Sequence, residues 1–140
     1  MLINGLPLPG DLLALMEAGR WKAPMDCSGV NRLFPENGGL FLYSIELMES
    51  ETRTLFDPQL RCSAWHGVPD PDNPPGNIEP RLAVFVADLG HGFDQPIALD
   101  YRVSRDQPRV ITLRWGNRGE QNRWVVLAPD IRAFAELVGL

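Results

Sequence analysis

The sequence predicts an α+β fold: a mostly antiparallel or mixed sheet of about five or six strands, with N-terminal, middle and C-terminal helices packed on one side of it. Three observations lead there. Apolar residues recur at helical spacing near residues 12–16, 45–55 and 131–138. Between residues 82 and 127 the pattern changes to four strand-like runs, one of them apolar throughout. The turns between those runs are short, which favours antiparallel neighbours over crossover connections. At 140 residues the chain is read as one domain, residues 1–140.

Each element has a local reason. Pro9-Gly10-Asp11 opens the first helix, with Asp11 facing the positive end of its dipole. Leu12, Leu15 and Met16 form its apolar stripe, Gly19 is a C′ stop, and Trp21 is a large anchor ahead of Pro24. Asn37-Gly38-Gly39 is a turn signal leading into a short strand over residues 40–43. Ser44 caps a helix over residues 45–55. There Ile45, Met48, Thr52 and Leu55 share one face, while Glu46, Glu49, Ser50 and Arg53 face water.

Residues 69–80 hold five prolines in twelve residues and exclude helix and central strand, because proline lacks an amide donor and fixes φ. They read as a surface loop, mobile enough to bind a partner, whose deletion should leave the melting curve nearly intact. Residues 82–87 read as a central strand covered on both faces. Over residues 97–103, Ile97, Leu99, Tyr101 and Val103 point one way and Asp100 and Arg102 the other. A strand over 110–115 turns Ile111, Leu113 and Trp115 inward. Another run covers 124–127, and Pro129 and Asp130 start a last helix with Ile131, Phe134 and Val138 on its core face.

The net charge of -5 and pI of about 4.9 argue against a nucleic-acid binder, which needs cations to displace phosphate counterions. The charge is uneven: residues 1–100 hold 14 acids and 6 bases, a net of -8, and residues 101–140 hold 4 acids and 7 bases, a net of +3. No apolar run is long enough for a membrane span. The N-terminus lacks a basic region, and Pro7, Pro9 and Asp11 break its apolar stretch, so a secretory signal is not expected and a cytoplasmic location is. Cys27 and Cys62 imply no disulfide framework and read as small buried or semi-buried thiols.

Asp88, His91, Asp94 and Asp100 crowd one stretch and invite a metal reading. A calcium loop wants alternating oxygens and a closing Glu, yet Leu89, Gly90, Gly92 and Phe93 intervene and no Glu follows. A structural assignment is simpler. Gly90 and Gly92 permit positive φ in a loop with His91 exposed at its tip, Asp88 and Asp94 accept loop amides, and Asp100 pairs outward with an arginine such as Arg114. No nucleophile motif, P-loop or dinucleotide fingerprint is present, so neither catalysis nor a cofactor or metal is expected. Trp65-His66-Gly67, beside the proline-rich loop, offers an exposed aromatic anchor for a partner.

Several pieces together resemble one family. Leu6-Pro7, Leu12-Leu13, Gly19-Arg20-Trp21-Lys22 and Pro24 look like the N-terminal part of the SUKH superfamily, which includes the fungal Smi/Knr-type cell-wall regulators. Ala87-Asp88-Leu89-Gly90, Gly92, Asp94, Pro96-Ile97 and Leu99-Asp100-Tyr101 resemble its central hairpin. Pro108, Val110, Trp115, Trp124, Ala128, Phe134 and Leu137 resemble its closing strands and last helix. The resemblance implies an α+β fold and, for bacterial members, an immunity protein that binds a toxin, often a nuclease or deaminase domain, without catalysis. An acidic surface meeting a basic toxin fits that expectation. The expected contact residues are Glu46, Glu49, Trp65, Asp70, Asp72 and Asp94. The alternatives are a regulatory scaffold of the Smi/Knr type acting through the 69–80 loop and, more weakly, a metal-assisted hydrolase at Asp88, Asp94 and Asp100.

Overall fold

The computed structural model describes residues 1–22, 39–89, 95–117 and 120–140. Asn4 and Gly5 both take positive φ, 56° and 72°, which folds β1 (Leu2–Ile3) back onto β2 (Leu6–Pro7). Asn4 Nδ2 donates to Pro80 O at 2.7 Å and Ala83 O at 3.1 Å, tying this hairpin to the main sheet. Helix α1 (Gly10–Glu17) follows and stops before Gly19, which has φ 68°. β3 (Phe41–Leu42) leads to α2 (Ile45–Arg53), where Ser44 Oγ accepts from Leu47 N at 3.2 Å as the expected cap. A 3₁₀ turn (Thr54–Phe56) buries Leu55 and extends the helix path.

After the short α3 (Ser63–His66) and a 3₁₀ turn (Pro80–Leu82) come β4 (Ala83–Asp88), β5 (Pro96–Asp100), β6 (Arg109–Arg114) and β7 (Arg123–Ala128). The five-stranded sheet runs β3-β4-β5-β6-β7, antiparallel throughout. The closing helix α4 (Ile131–Val138) is capped by Asp130 Oδ1, which accepts from Ala133 N at 2.8 Å, and buries Ile131, Phe134 and Val138. The architecture is therefore α+β, as the pattern predicts.

The cover differs from expectation. Along the registered strands Val84, Leu99 and Val110 alternate with Phe85, Ala98 and Ile111, and all six are fully buried. Cover must lie on both faces, not one. α2 meets β4, where Phe85 N donates to Thr52 Oγ1 at 2.9 Å, and the Arg61 guanidinium lies 5.6 Å from the Phe85 ring. α4 packs on β6, β7 and α1. β5 also ends at Asp100, so Val103 is 73% exposed, and Trp115 lies just past β6 at 39% exposure instead of pointing inward.

The proline-rich loop is pinned. Gly76 exchanges both backbone hydrogen bonds with Trp124 at 3.0 Å, Asp70 N donates to Pro75 O, and Ile78 N donates to His66 O. Gly76 sits at φ 74°, and a Cβ there would come within 2.4 Å of Val68 O, so only glycine fits. Residues 71–74 are exposed, but Pro75, Gly76 and Ile78 are buried. Deleting 69–80 would strip core contacts, which corrects the expectation of an unchanged melting curve.

Tyr101 bolts the N-terminal hairpin to the sheet by donating its hydroxyl to Pro7 O at 2.8 Å. Burial raises its pKa, with nearby Arg105 acting in the opposite sense. A raised folded-state pKa means the neutral phenol is favoured by folding. Its contribution is full below the unfolded value near 10 and is lost as pH rises through it, by about 1.4 kcal/mol per pH unit until the folded pKa is passed. Tyr101→Phe should therefore cost about 1 kcal/mol near neutral pH, from the lost hydrogen bond. Urea titrations of the two proteins should converge or cross at about pH 11.

Candidate functional site

The expected contact residues fall into distinct environments. Glu46 and Glu49 stand on the outer face of α2, three residues apart and so adjacent on the helix surface. Both are exposed, and neither carboxylate has an ion-pair or hydrogen-bond partner among the described residues. Three other acids are occupied: Glu51 holds Arg61 at 3.3 Å, Asp11 holds Arg132 at 3.5 Å, and Asp100 holds two arginines. Asp70 is engaged as well, pairing with Arg123 at 2.9 Å and accepting from the amides of Asp72 and Asn73. The Asp72 carboxylate is exposed at the loop tip.

Trp65 corrects an expectation. It is only 9% exposed, with the Arg61 guanidinium over its ring at 4.1 Å and Trp115 in a T-shaped contact at 4.8 Å. Its carbonyl accepts from Trp124 Nε1 at 2.8 Å. Burial follows because α3 lays this residue over the covered sheet face, so the partly exposed aromatic is Trp115. Asp94 and His91, the loop glycines Gly90 and Gly92, the Asn37-Gly38 turn and Cys27 lie outside the described residues. The Cys62 thiol is exposed, contrary to its reading as buried or semi-buried.

Asp88 and Asp100 do not converge as a catalytic reading requires. Asp88 pairs in register with Pro96 and Asp100 with Ala83, so they mark opposite ends of the β4–β5 hairpin. Four strand residues at roughly 3.3 Å each separate those ends by about 13 Å, far more than two ligands of one hard cation can span. Asp88 Oδ1 accepts the Gln95 amide at 3.3 Å, the loop role expected for it. Asp100 is buried rather than outward-facing, and its partners are Arg102 (2.8 Å) and Arg109 (2.7 Å). Arg114 stands at the far end of β6, in register with Arg123. The remaining Arg102 donors grip Asn77 Oδ1 and Asn77 O, both at 2.8 Å, so this cluster closes on the root of the proline-rich loop.

Two grooves flank these groups. One, of about 280 Å³, runs between the N-terminal hairpin and α2, with Leu2, Glu49, Arg53 and Phe56 around it. Leu2 is 61% and Phe56 52% exposed there. The periodicity of α2 points to the acids. The N-terminal hairpin lies outside that periodicity, although Asn4-Gly5 between apolar residues is a strong short-range turn signal. The other groove, about 610 Å³, lies between Val68–Asp70 and the end of the β6–β7 pair, with Arg114, Trp115 and Arg123 along it. Comparison with protein-family models, curated proteins and solved structures finds no match. Among the described residues, no helix is long and apolar enough to cross a membrane.

Proposed function

We propose that this chain is a non-enzymatic, cytoplasmic protein-binding domain of the immunity type, which neutralises a cognate toxin domain carrying a basic surface. The single observation behind this reading is the exposed Glu46/Glu49 ridge, unpaired among the described residues, whose Glu49 lines a groove with exposed Leu2 and Phe56. Glu51, Asp70 and Asp11 each pair with an arginine, whereas among the described residues the Glu46 and Glu49 carboxylates have no ion-pair partner. Exposed apolar residues next to like charge match the core-and-rim composition of a protein interface. The resemblance to SUKH immunity proteins and the net charge of -5 support the same reading.

The test pairs the purified chain with the C-terminal domain encoded by the gene next to its own, assayed as a candidate toxin. A stable complex is expected, with an association rate that falls steeply with salt. Reversing Glu46 and Glu49 to lysine should slow association at least about tenfold. Absence of a complex, or a rate indifferent to salt and to both reversals, would remove the proposal. The scaffold alternative draws on one observation, the exposed 71–74 tip with Asp72 on a pinned loop. It requires tip substitutions, not α2 substitutions, to abolish partner capture.

A further inference from the structure

We infer that the groove between the N-terminal hairpin and α2 receives one apolar side chain from a basic protein partner, with that partner's cation set against Glu46 and Glu49. This rests on the protein-binding reading and assigns its anchor. At about 280 Å³ the groove falls just below the roughly 300–1,000 Å³ of small-molecule sites, which suits a single side chain. Several polar groups of its lining are already bonded within the fold. Asn4 Nδ2 donates to Pro80 O and Ala83 O, the Thr52 hydroxyl accepts Phe85 N, and Arg53 Nε donates to Glu49 O. What remains open is mixed: Leu2 and Phe56 give apolar surface at the lips, and Glu49 and Arg53 give polar surface beside them.

The charge is lopsided. Glu46 and Glu49 project from one stretch of α2, and Arg53 follows a turn later beside the groove. A cation on the occupant is attracted at the glutamate side and repelled near Arg53. The occupant is therefore an apolar residue with Lys or Arg on one side, rather than a uniformly basic segment.

Amide chemical-shift mapping on the full chain tests this with three capped peptides. The first carries one Phe and two Arg, the second replaces Phe by Ser, and the third replaces Arg by Glu. Saturable shifts are expected at residues 2–4, 49–53 and 56 with the first peptide. The Ser and Glu peptides should bind at least about tenfold more weakly. Leu2→Asp with Phe56→Asp, both at exposed positions, should abolish the shifts while the melting temperature holds. No shifts there, equal binding of the Ser peptide, or shifts that track protein concentration without peptide (a second copy in the groove) would each overturn the inference. A toxin complex undiminished by the two aspartates would sink the groove and leave the immunity reading standing. Peptide binding in the groove with no toxin complex would do the reverse.

Discussion

Asp100→Ala is expected to destabilise the protein by about 3–5 kcal/mol, a large share of the roughly 5–15 kcal/mol that holds a domain folded. Asp100 is 1% exposed and accepts from Arg102 Nε, Arg102 Nη2, Arg109 Nε and the Arg102 amide. Removing it leaves two guanidinium groups close together with no counter-charge, and their side chains are only 23% and 19% exposed. The size of the effect comes from that residue of unpaired charge, not from the worth of an isolated pair. Arg109→Met should cost less, because Arg102 still neutralises the carboxylate. Arg102→Met should fall between, since it also orphans both oxygens of Asn77. Urea midpoints of the three variants give the order directly. An Asp100→Ala loss no larger than that of Arg109→Met would show that solvent compensates the arginines and that the cluster is a surface feature.

Much of this fold is legible from periodicity because burial is periodic. The 3.6-residue repeat in Ile45, Met48, Thr52 and Leu55 marks the face that α2 lays on β4, and Ser44 and Asp130 sit where orphan amides need an acceptor. Alternation misleads where both sheet faces are covered. Asp100 follows the polar phase of its strand, yet polar phase means water only when that face is open. Here the aspartate stays buried because two arginines follow it in. Trp65 fails for a related reason: local composition beside a proline-rich loop says nothing about the sheet face that α3 will cover.

The candidate site divides along the same line. Glu46 and Glu49 are readable because an exposed helix face depends on local spacing alone. That Asp70 is taken by Arg123, fifty-three residues away, depends on how the loop returns to β7. The groove itself joins residues 2–4 to residues 49–56, a juxtaposition that no local pattern contains. Asn4 makes it, through hydrogen bonds to carbonyls more than seventy residues distant.

Trp124→Ala should cost about 3–5 kcal/mol, comparable to the Asp100 variant but by a different mechanism. The indole is fully buried, stacks on Phe85 at a centroid distance of 6.2 Å, and donates Nε1–H to Trp65 O. Truncation removes the ring's packing and opens a cavity bordered by Phe85, and it also leaves the Trp65 carbonyl without its donor. Trp124→Phe separates these contributions. The stacking partner survives in part, so its loss should approach the roughly 1–3 kcal/mol of an unsatisfied buried acceptor. The two backbone hydrogen bonds to Gly76 are shared by either variant, so any extra loss at the proline-rich loop must come through side chains. Hydrogen exchange then resolves the mechanism. In Trp124→Ala the amides of residues 65–78 should lose protection before those of β4 and β5, because α3 and the loop root rest on the indole while the central strands retain Leu99, Ile111 and their neighbours. Uniform loss of protection across the sheet would instead mean that Trp124 supports the core as a whole, and that the loop is anchored chiefly by Arg102 and the Gly76 bridge.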